Sequence, residues 1–357
     1  MIRALFSVKD FSGSSNPYIE LLVGSFPASV EPVAFTWRRA LLGRYDVFHV
    51  HWPEYLFRAP RGPRRWLKSA LAFGLIARLL ALGTPVVVTM HNLRPHESGS
   101  AVETLLARWL DRLTDVRIYL NESDENDLDR GVVVLHGAYP ESASVPGPRE
   151  AGRRILFFGQ IRPYKGLEEL IAAFSALTDG ELVIAGAAAV PEYADEVRRA
   201  VGADGRVHLR LGHIDDAELD ELLAGADLVT LPYKYLYNSG AALLALGARK
   251  TILVPATGST RALAAEVGSC WVELFDGLVS PAALEAGLER ARRHGERERP
   301  DLSKRERSLV GALHGAVYEA LVAAGRGRGR GGKGRRAATL ARLRADPRFL
   351  RHSELNR

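Results

Sequence analysis

A chain of 357 residues, 47% hydrophobic and 25% charged, has the composition of a folded globular protein and the length for two domains with their own cores. Its single cysteine, Cys270, excludes an internal disulfide and a cysteine-rich metal site and fits a reducing, cytoplasmic compartment. The formal charge of +6 is unevenly placed: residues 325–357 hold eleven Lys/Arg against two acids, a balance of +9, which leaves residues 1–324 at −3.

The first residues, Met1 to Val8, form an apolar run too short for a secretory signal before Lys9 and Asp10, and read as a first buried strand. Further doubly apolar runs predict strands at 47–50, 85–89, 116–119 and 132–135, with helical spacing at 66–82 and 101–113 between them. The longest apolar region, 70–88, is broken by Arg78 and by Gly83-Thr-Pro85, so it reads as helix then strand and not as a membrane span. A Pro/Ser/Gly-rich stretch from Pro140 to Pro148 marks a linker. Beyond it strands are expected at 154–158, 181–185, 207–211, 228–231, 251–255 and 270–274, with helices at 167–177, 194–201, 217–223 and 241–246. Strands joined by helices imply parallel sheets buried on both faces. The expected organisation is α/β: a Rossmann-like domain over 1–145, a second over 150–300, a helix over 301–324 packing on the body, and a disordered Gly/Arg-rich tail over 325–357. The cleft between the two domains is the expected ligand site.

Chemistry concentrates at the expected carboxyl ends of strands. In Gly159-Gln-Ile-Arg162-Pro-Tyr-Lys165-Gly166, a strand ends and a helix begins, so two cations stand at a sheet edge and near a helix N-terminus, where anions bind. Asn238-Ser239-Gly240-Ala241 opens another helix with a hydroxyl and free amides suited to a phosphate; an ordinary N-cap is the alternative, and the two are compatible. In the first half, Asp10, His49-Val-His51-Trp52-Pro53-Glu54 and His91-Asn92-Leu-Arg94-Pro-His96 follow strands. The acidic run from Glu122 to Asp129 contains Asp127-Leu-Asp129 and reads as a solvated loop, so no metal site is expected.

The Gly159–Gly166 loop resembles the Gly-Arg-x-x-x-x-Lys-Gly loop of nucleotide-sugar glycosyltransferases with the GT-B fold, two Rossmann-like domains facing each other across a cleft. Gly159, Lys165 and Gly166 match in register, whereas Gln160 stands at the family's Arg position and the cation is at Arg162. Glu181–Gly186 and Asp227-Leu-Val-Thr-Leu-Pro232-Tyr233 are similar to the strands that follow in GT4-like enzymes, and the resemblance covers nearly all of residues 1–300. The paired glutamates of retaining members are absent: no carboxylate lies between Asp227 and Glu266. The Asn-Ser-Gly version resembles the inverting bacterial exopolysaccharide β-mannosyltransferases that use GDP-mannose.

The resemblance implies a hexosyltransferase that moves a hexose, with GDP-mannose favoured, onto a glycolipid or polyprenyl-diphosphate-linked saccharide, with inversion and with neither cofactor nor metal. Donor contacts are then expected from Gly159, Arg162, Lys165, Tyr233, Asn238, Ser239, Gly240 and Ala241, with His136 of the His136-Gly-Ala-Tyr-Pro turn added by the same resemblance. An inverting transfer needs a base for the acceptor hydroxyl, for which Glu54, His91, Asp10 and His51 are the candidates and Glu54 the first choice. His91 has an alternative role in holding the sugar or leaving phosphate. Acceptor-side candidates are Asn16, Tyr18, His51, Trp52, Asn92 and Arg94. The basic-aromatic segment from Phe57 to Lys68, with Arg61, Arg64, Arg65 and Trp66, suits an anionic membrane, so a cytoplasmic protein peripheral on the inner face is expected. Two alternatives remain at this point: a retaining GT4-like enzyme using a UDP-sugar, and an RNA- or membrane-binding protein acting through its basic tail, the nucleic acid being the less expected partner. A nicotinamide-dependent dehydrogenase is disfavoured, since no Gly-x-Gly-x-x-Gly follows either first strand.

Overall fold

A computed structural model describes residues 1–12, 17–58, 62–92, 100–140, 152–268, 270–293, 298–325 and 332–349. The chain divides into two compact units, Met1–Gly137 with Lys304–Arg357, and Ala138–Ser303.

The first unit runs β1 (Ile2–Phe6), α1 (Pro17–Val23), β2 (Val30–Val33), α2 (Trp37–Leu42), β3 (Val47–His51), α3 (Pro53–Phe57), α4 (Pro63–Leu82), β4 (Val86–Met90), α5 (Ala101–Leu113), β5 (Val116–Tyr119) and β6 (Gly131–Val133). Its six parallel strands are ordered β2-β1-β3-β4-β5-β6. All five residues of β3 are buried, as a strand covered on both faces requires. The edge strand β2 escapes a pattern search, because only Val30 of Val-Glu-Pro-Val is buried; an edge tolerates the missing Pro32 donor.

The second unit runs β7 (Arg154–Phe158), α6 (Leu167–Ser175), β8 (Glu181–Gly186), α7 (Pro191–Val201), β9 (Val207–Leu211), α8 (Asp216–Gly225), β10 (Leu228–Thr230), α9 (Gly240–Gly247), β11 (Thr251–Pro255), α10 (Gly258–Val267), β12 (Val272–Phe275) and α11 (Pro281–Ala291). Its parallel order is β12-β11-β10-β7-β8-β9. The order reverses between β7 and β10 here, and between β1 and β3 in the first unit. A crevice opens at such a point beyond the strands' carboxyl ends, because successive helices leave toward opposite faces. Helix starts at these edges are capped by side chains that the sequence supplies at the right spacing: Ser100 with Glu103, Asp215, Ser239, Thr257 with Thr260, and Ser280.

After the second unit the chain returns. Helix α12 (Arg307–Ala323) buries Val310, Leu313, Val317, Tyr318 and Leu321 in the first unit's core with β1, β3 and β5 residues. The expectation of a disordered tail is overturned for residues 332–349. There α13 (Gly332–Arg344) packs against α12 and β5, with Leu340 and Leu343 buried in the same core. Average composition concealed the cause: leucines one helical turn apart, in an Ala/Arg background of high helix propensity, have a core to join. Arg335 also forms a two-pronged ion pair with buried Asp115, at 2.7 and 2.9 Å, and donates to Gly83 O at 2.6 Å.

Candidate active site

In the second unit, two loops meet at the switch point. Beyond β7, Gly159 takes φ +117°, Ile161 is buried and bridges Ala188, and Pro163–Lys165 forms a 3-10 turn closed by Lys165 N–H to Arg162 O at 2.9 Å. Gly166 then takes φ +69°, and a Cβ there would stand 2.2 Å from Pro232 O, in the loop beyond β10. Glycine is therefore required twice over, by the left-handed backbone and by the close approach. The approach sets Lys165 Nζ 3.4 Å above the centre of the Tyr233 ring and 5.1 Å from that of Tyr164, and Lys234 N–H to Tyr164 O at 2.9 Å ties the loops together. Burial, and secondarily the Arg162 charge, pull the Lys165 ammonium down to about 7. Burial pushes the Tyr233 phenol up, opposed by its hydrogen bond with Ser239. Ser239 in turn caps α9, accepting from Ala242 N at 3.2 Å. A Cβ on Gly240 would come 2.6 Å from Tyr139 OH, so the start of α9 is bare backbone beneath that phenol. Two cations near a helix N-terminus make a setting suited to an anion.

In the first unit, the edge is aromatic and imidazole-rich. Ser7 links β1 to β3, its hydroxyl donating to His51 O at 2.9 Å and accepting from His51 N at 2.8 Å. Trp52 has φ +47° and ψ +71°, an unfavourable left-handed backbone for a bulky residue, and stacks on His91 at 3.9 Å and 15°. His91 Nε2 lies 3.0 Å from His51 Nδ1, and Tyr18 packs edge-on to His91 and against His136. Burial holds His51 and His91 well below the usual imidazole range, and neighbouring imidazoles add to this. His136 donates Nδ1–H to Gly137 O at 2.8 Å and burial lowers it to about 4. Just past Trp52, Pro53 begins α3 and sets Glu54 on the wall of a 430 Å³ groove between α3 and α5, also lined by Phe57, Glu103, Thr104 and Ala107.

Residues 152–285 match a family described as "Glycosyl transferases group 1". Over 326 residues the chain is 38% identical to a GDP-mannose:glycolipid 4-beta-D-mannosyltransferase of Xanthomonas campestris pv. campestris, covering 89% of this chain and 92% of that protein. The chain belongs to the group 1 glycosyltransferases. A second Xanthomonas campestris pv. campestris protein of the same description gives the same identity and coverage. The glycosyltransferase also has the fold of sucrose-phosphate synthase from Thermosynechococcus elongatus (TM-score 0.61, 14% identity, 90% of this chain and 99% of that one). Anabaena HepE, solved in complex with UDP and glucose, is a further fold match (TM-score 0.54, 13% identity, 88% and 94%). The GT-B architecture expected from the Gly159 loop is thus the one present.

The glycosyltransferase brings Gly159, Arg162, Lys165, Tyr233, Asn238, Ser239, Gly240 and Ala241 to one edge of the second sheet, where Arg162 Nε donates to Gln160 at 3.1 Å. His136, grouped with them by sequence, instead lies in the first unit, buried beside Tyr18, its carbonyl accepting from Arg305 at 3.1 Å. His51, expected to meet the acceptor, is 1% exposed and buried at the end of β3 in the first sheet. Asp10 is exposed, and the Ser12 backbone N–H, with the Ser12 hydroxyl, keeps its carboxyl below the usual range. Asn92 is half-buried at the β4 end. Asn16, Arg94, His96 and Arg61 lie outside the described residues. Asp127 and Asp129 face arginines, Arg117 at 3.6 Å and Arg344 at 4.0 Å. Sequence reasoning gave no role of its own to His49, which is fully buried between Tyr318 OH at 2.6 Å and Thr89 Oγ1 at 2.7 Å and pins α12 to the sheet. It also gave none to Tyr164, whose aromatic neighbour position to Lys165 was legible in Pro-Tyr-Lys.

Proposed function

We propose that this glycosyltransferase moves mannose from GDP-mannose, with inversion, to a polyprenyl-diphosphate-linked saccharide at the inner face of a bacterial membrane, in exopolysaccharide assembly. The observation that carries the reading is Lys165 held over Tyr233 beside the Ser239–Ala241 helix start, in a stretch without the retaining enzymes' glutamates. The leaving diphosphate develops charge, which in this reading Arg162, Lys165 and the α9 amides neutralise without a metal. The named activity of the Xanthomonas campestris relatives supports mannose and a glycolipid. A thermal-shift screen with GDP-, UDP- and dTDP-sugars, with and without chelator, tests the donor: stabilisation by UDP-sugars alone, or loss with chelator, overturns it. The anomeric coupling constant of the product tests inversion.

Glu54 is the base in this reading, receiving the acceptor's hydroxyl from the α3–α5 groove, whose volume is in the range of small-ligand sites. Asp10 serves less well, because its hydrogen bonds lower its proton affinity. Glu54→Gln should reduce kcat by about 10²–10⁴-fold while leaving donor affinity unchanged. Full activity in that variant moves the base elsewhere.

The membrane contact is assigned to α3, α4 and α5. Trp66 is 74% exposed, and Tyr55, Leu67, Leu105 and Trp109 are also exposed, with Arg64 at the start of α4. Aromatics among cations suit an anionic interface. Among the described residues no helix is long and apolar enough to cross a membrane. An Arg64→Glu/Arg65→Glu/Trp66→Ala variant should lose co-sedimentation with phosphatidylglycerol vesicles; unchanged binding removes this surface from the reading.

A further inference from the structure

The His51–His91 contact contains one proton and two possible donors, and its surroundings discriminate between them. Both rings are held neutral by burial. Each neutral imidazole carries one N–H, so a 3.0 Å nitrogen–nitrogen contact is a hydrogen bond in which one ring donates and the other accepts. If His91 donates from Nε2, His51 must carry its proton on Nε2. That atom is fully buried with no hydrogen-bond partner among the described residues, in a ring stacked on Phe6 at 5.4 Å and enclosed by Tyr18, His49 and Trp52. The alternative protonates His51 on Nδ1 and leaves Nε2 a bare lone pair. Orphaned buried N–H groups are rarer than under-satisfied acceptors, so the second arrangement is favoured. Ser7 fixes the His51 backbone through its N–H and carbonyl, and the rings of Phe6, Tyr18, His49 and Trp52 packed around the imidazole leave it little freedom to escape by rotation.

We propose that His51 is a positioning residue: its Nδ1–H donates to His91 Nε2, fixing His91 as the Nδ1–H tautomer, which presents a hydrogen-bond donor at the sheet edge and no basic lone pair. Stacking on Trp52 holds the plane of the His91 ring, so the direction of that donor is set as well as its protonation. A neutral N–H so placed recognises an oxygen acceptor on a bound sugar or phosphate. This functional half rests on the reading of the edge given above; the tautomer does not. It removes His91 from the candidates for the base and leaves that work to a carboxylate.

The tautomer is read directly by long-range ¹H–¹⁵N correlation on the ¹⁵N-labelled full chain near neutral pH, with His51 and His91 assigned by single His→Asn variants. The expected pattern is a protonated Nδ1 and a bare Nε2 on both rings. A protonated Nε2 on His91, or a doubly protonated ring, overturns the proposal without reference to activity. In transfer assays His51→Leu should lower kcat/KM by roughly 10–100-fold, in line with losses at orienting partners elsewhere. His51→Asn, whose amide N–H replaces Nδ1–H, should recover most of that loss and keep the His91 pattern. If Leu and Asn variants are both folded and equally impaired, or if the folded Leu variant is unimpaired, the positioning role is wrong. Absence of mannosyl transfer by the unmodified chain would instead count against the proposed function, with the nitrogen spectrum still deciding the tautomer.

Discussion

Lys165→Ala is expected to lower kcat/KM for the nucleotide-sugar by about 10²–10³-fold, the scale of losing one preorganised charge-stabilising donor. The loss should extend to binding of the free nucleoside diphosphate, because the ammonium faces the leaving group and not the sugar in this reading. A pH signature separates this from a packing defect. In the free protein Lys165 titrates at about 7, because burial disfavours its charge. A bound diphosphate restores the proton, so the bound pKa lies above the free one. Donor binding should therefore take up a proton between about pH 7 and the bound pKa, and affinity should weaken as pH rises through that window. Calorimetry in two buffers of different ionisation enthalpy measures the uptake, and Lys165→Ala should abolish it. Donor binding without proton uptake at pH 8 would show that Lys165 does not meet the diphosphate.

Arg335→Ala is expected to destabilise the fold by about 3–5 kcal/mol, the usual result of stripping a partner from a buried charge. The Asp115 carboxylate is fully buried and holds Val86 N–H at 2.9 Å as well as the Arg335 fork. Burial already raises the Asp115 carboxyl, and Arg335 is the largest influence opposing that rise. Removing the guanidinium raises it further, so the folded variant holds its proton to higher pH than the unfolded chain does. Its deficit should then grow as pH rises above the ordinary aspartate value and shrink in acid. Urea denaturation at two pH values checks the sign. Adding Asp115→Ala to Arg335→Ala should return part of the loss, as expected for coupled partners. A neutral result for Arg335→Ala would mean that α13 does not hold the sheet.

How much of this was legible beforehand depended on whether a residue's neighbours lie near it in sequence. The strands at 154–158 and 251–255 fall where apolar runs put them, because burial on both faces leaves a nearly unbroken apolar string, whereas the edge strand at 207–211 shows in the alternation of Val-His-Leu-Arg-Leu. Lys165 and Gly166 were readable because the loop requirement is local. The Tyr233 ring beneath Lys165 comes from the loop beyond β10, 68 positions on, and nothing in either segment alone pairs them. His51 illustrates the opposite failure: a strand-end histidine looks like a ligand contact, yet β3 is covered on both faces and the ring is buried, where it supports His91. The tail was misread because charge was averaged over 33 residues, whereas two leucines and one arginine settle its placement.

The return of α12 and α13 to the first unit bears on how the chain must be made. Residues 138–303 are contiguous and can complete their core as they leave the ribosome, but the earlier-synthesised 1–137 cannot. The sheet of β1, β3 and β5 waits for Leu313, Tyr318, Leu340 and Leu343, which arrive only after the whole second unit has been made. During synthesis that sheet presents an uncovered apolar surface, the condition under which nascent chains aggregate. A chain ended at residue 324 would therefore test folding before it tested catalysis, and expression screens of such truncations should yield insoluble protein.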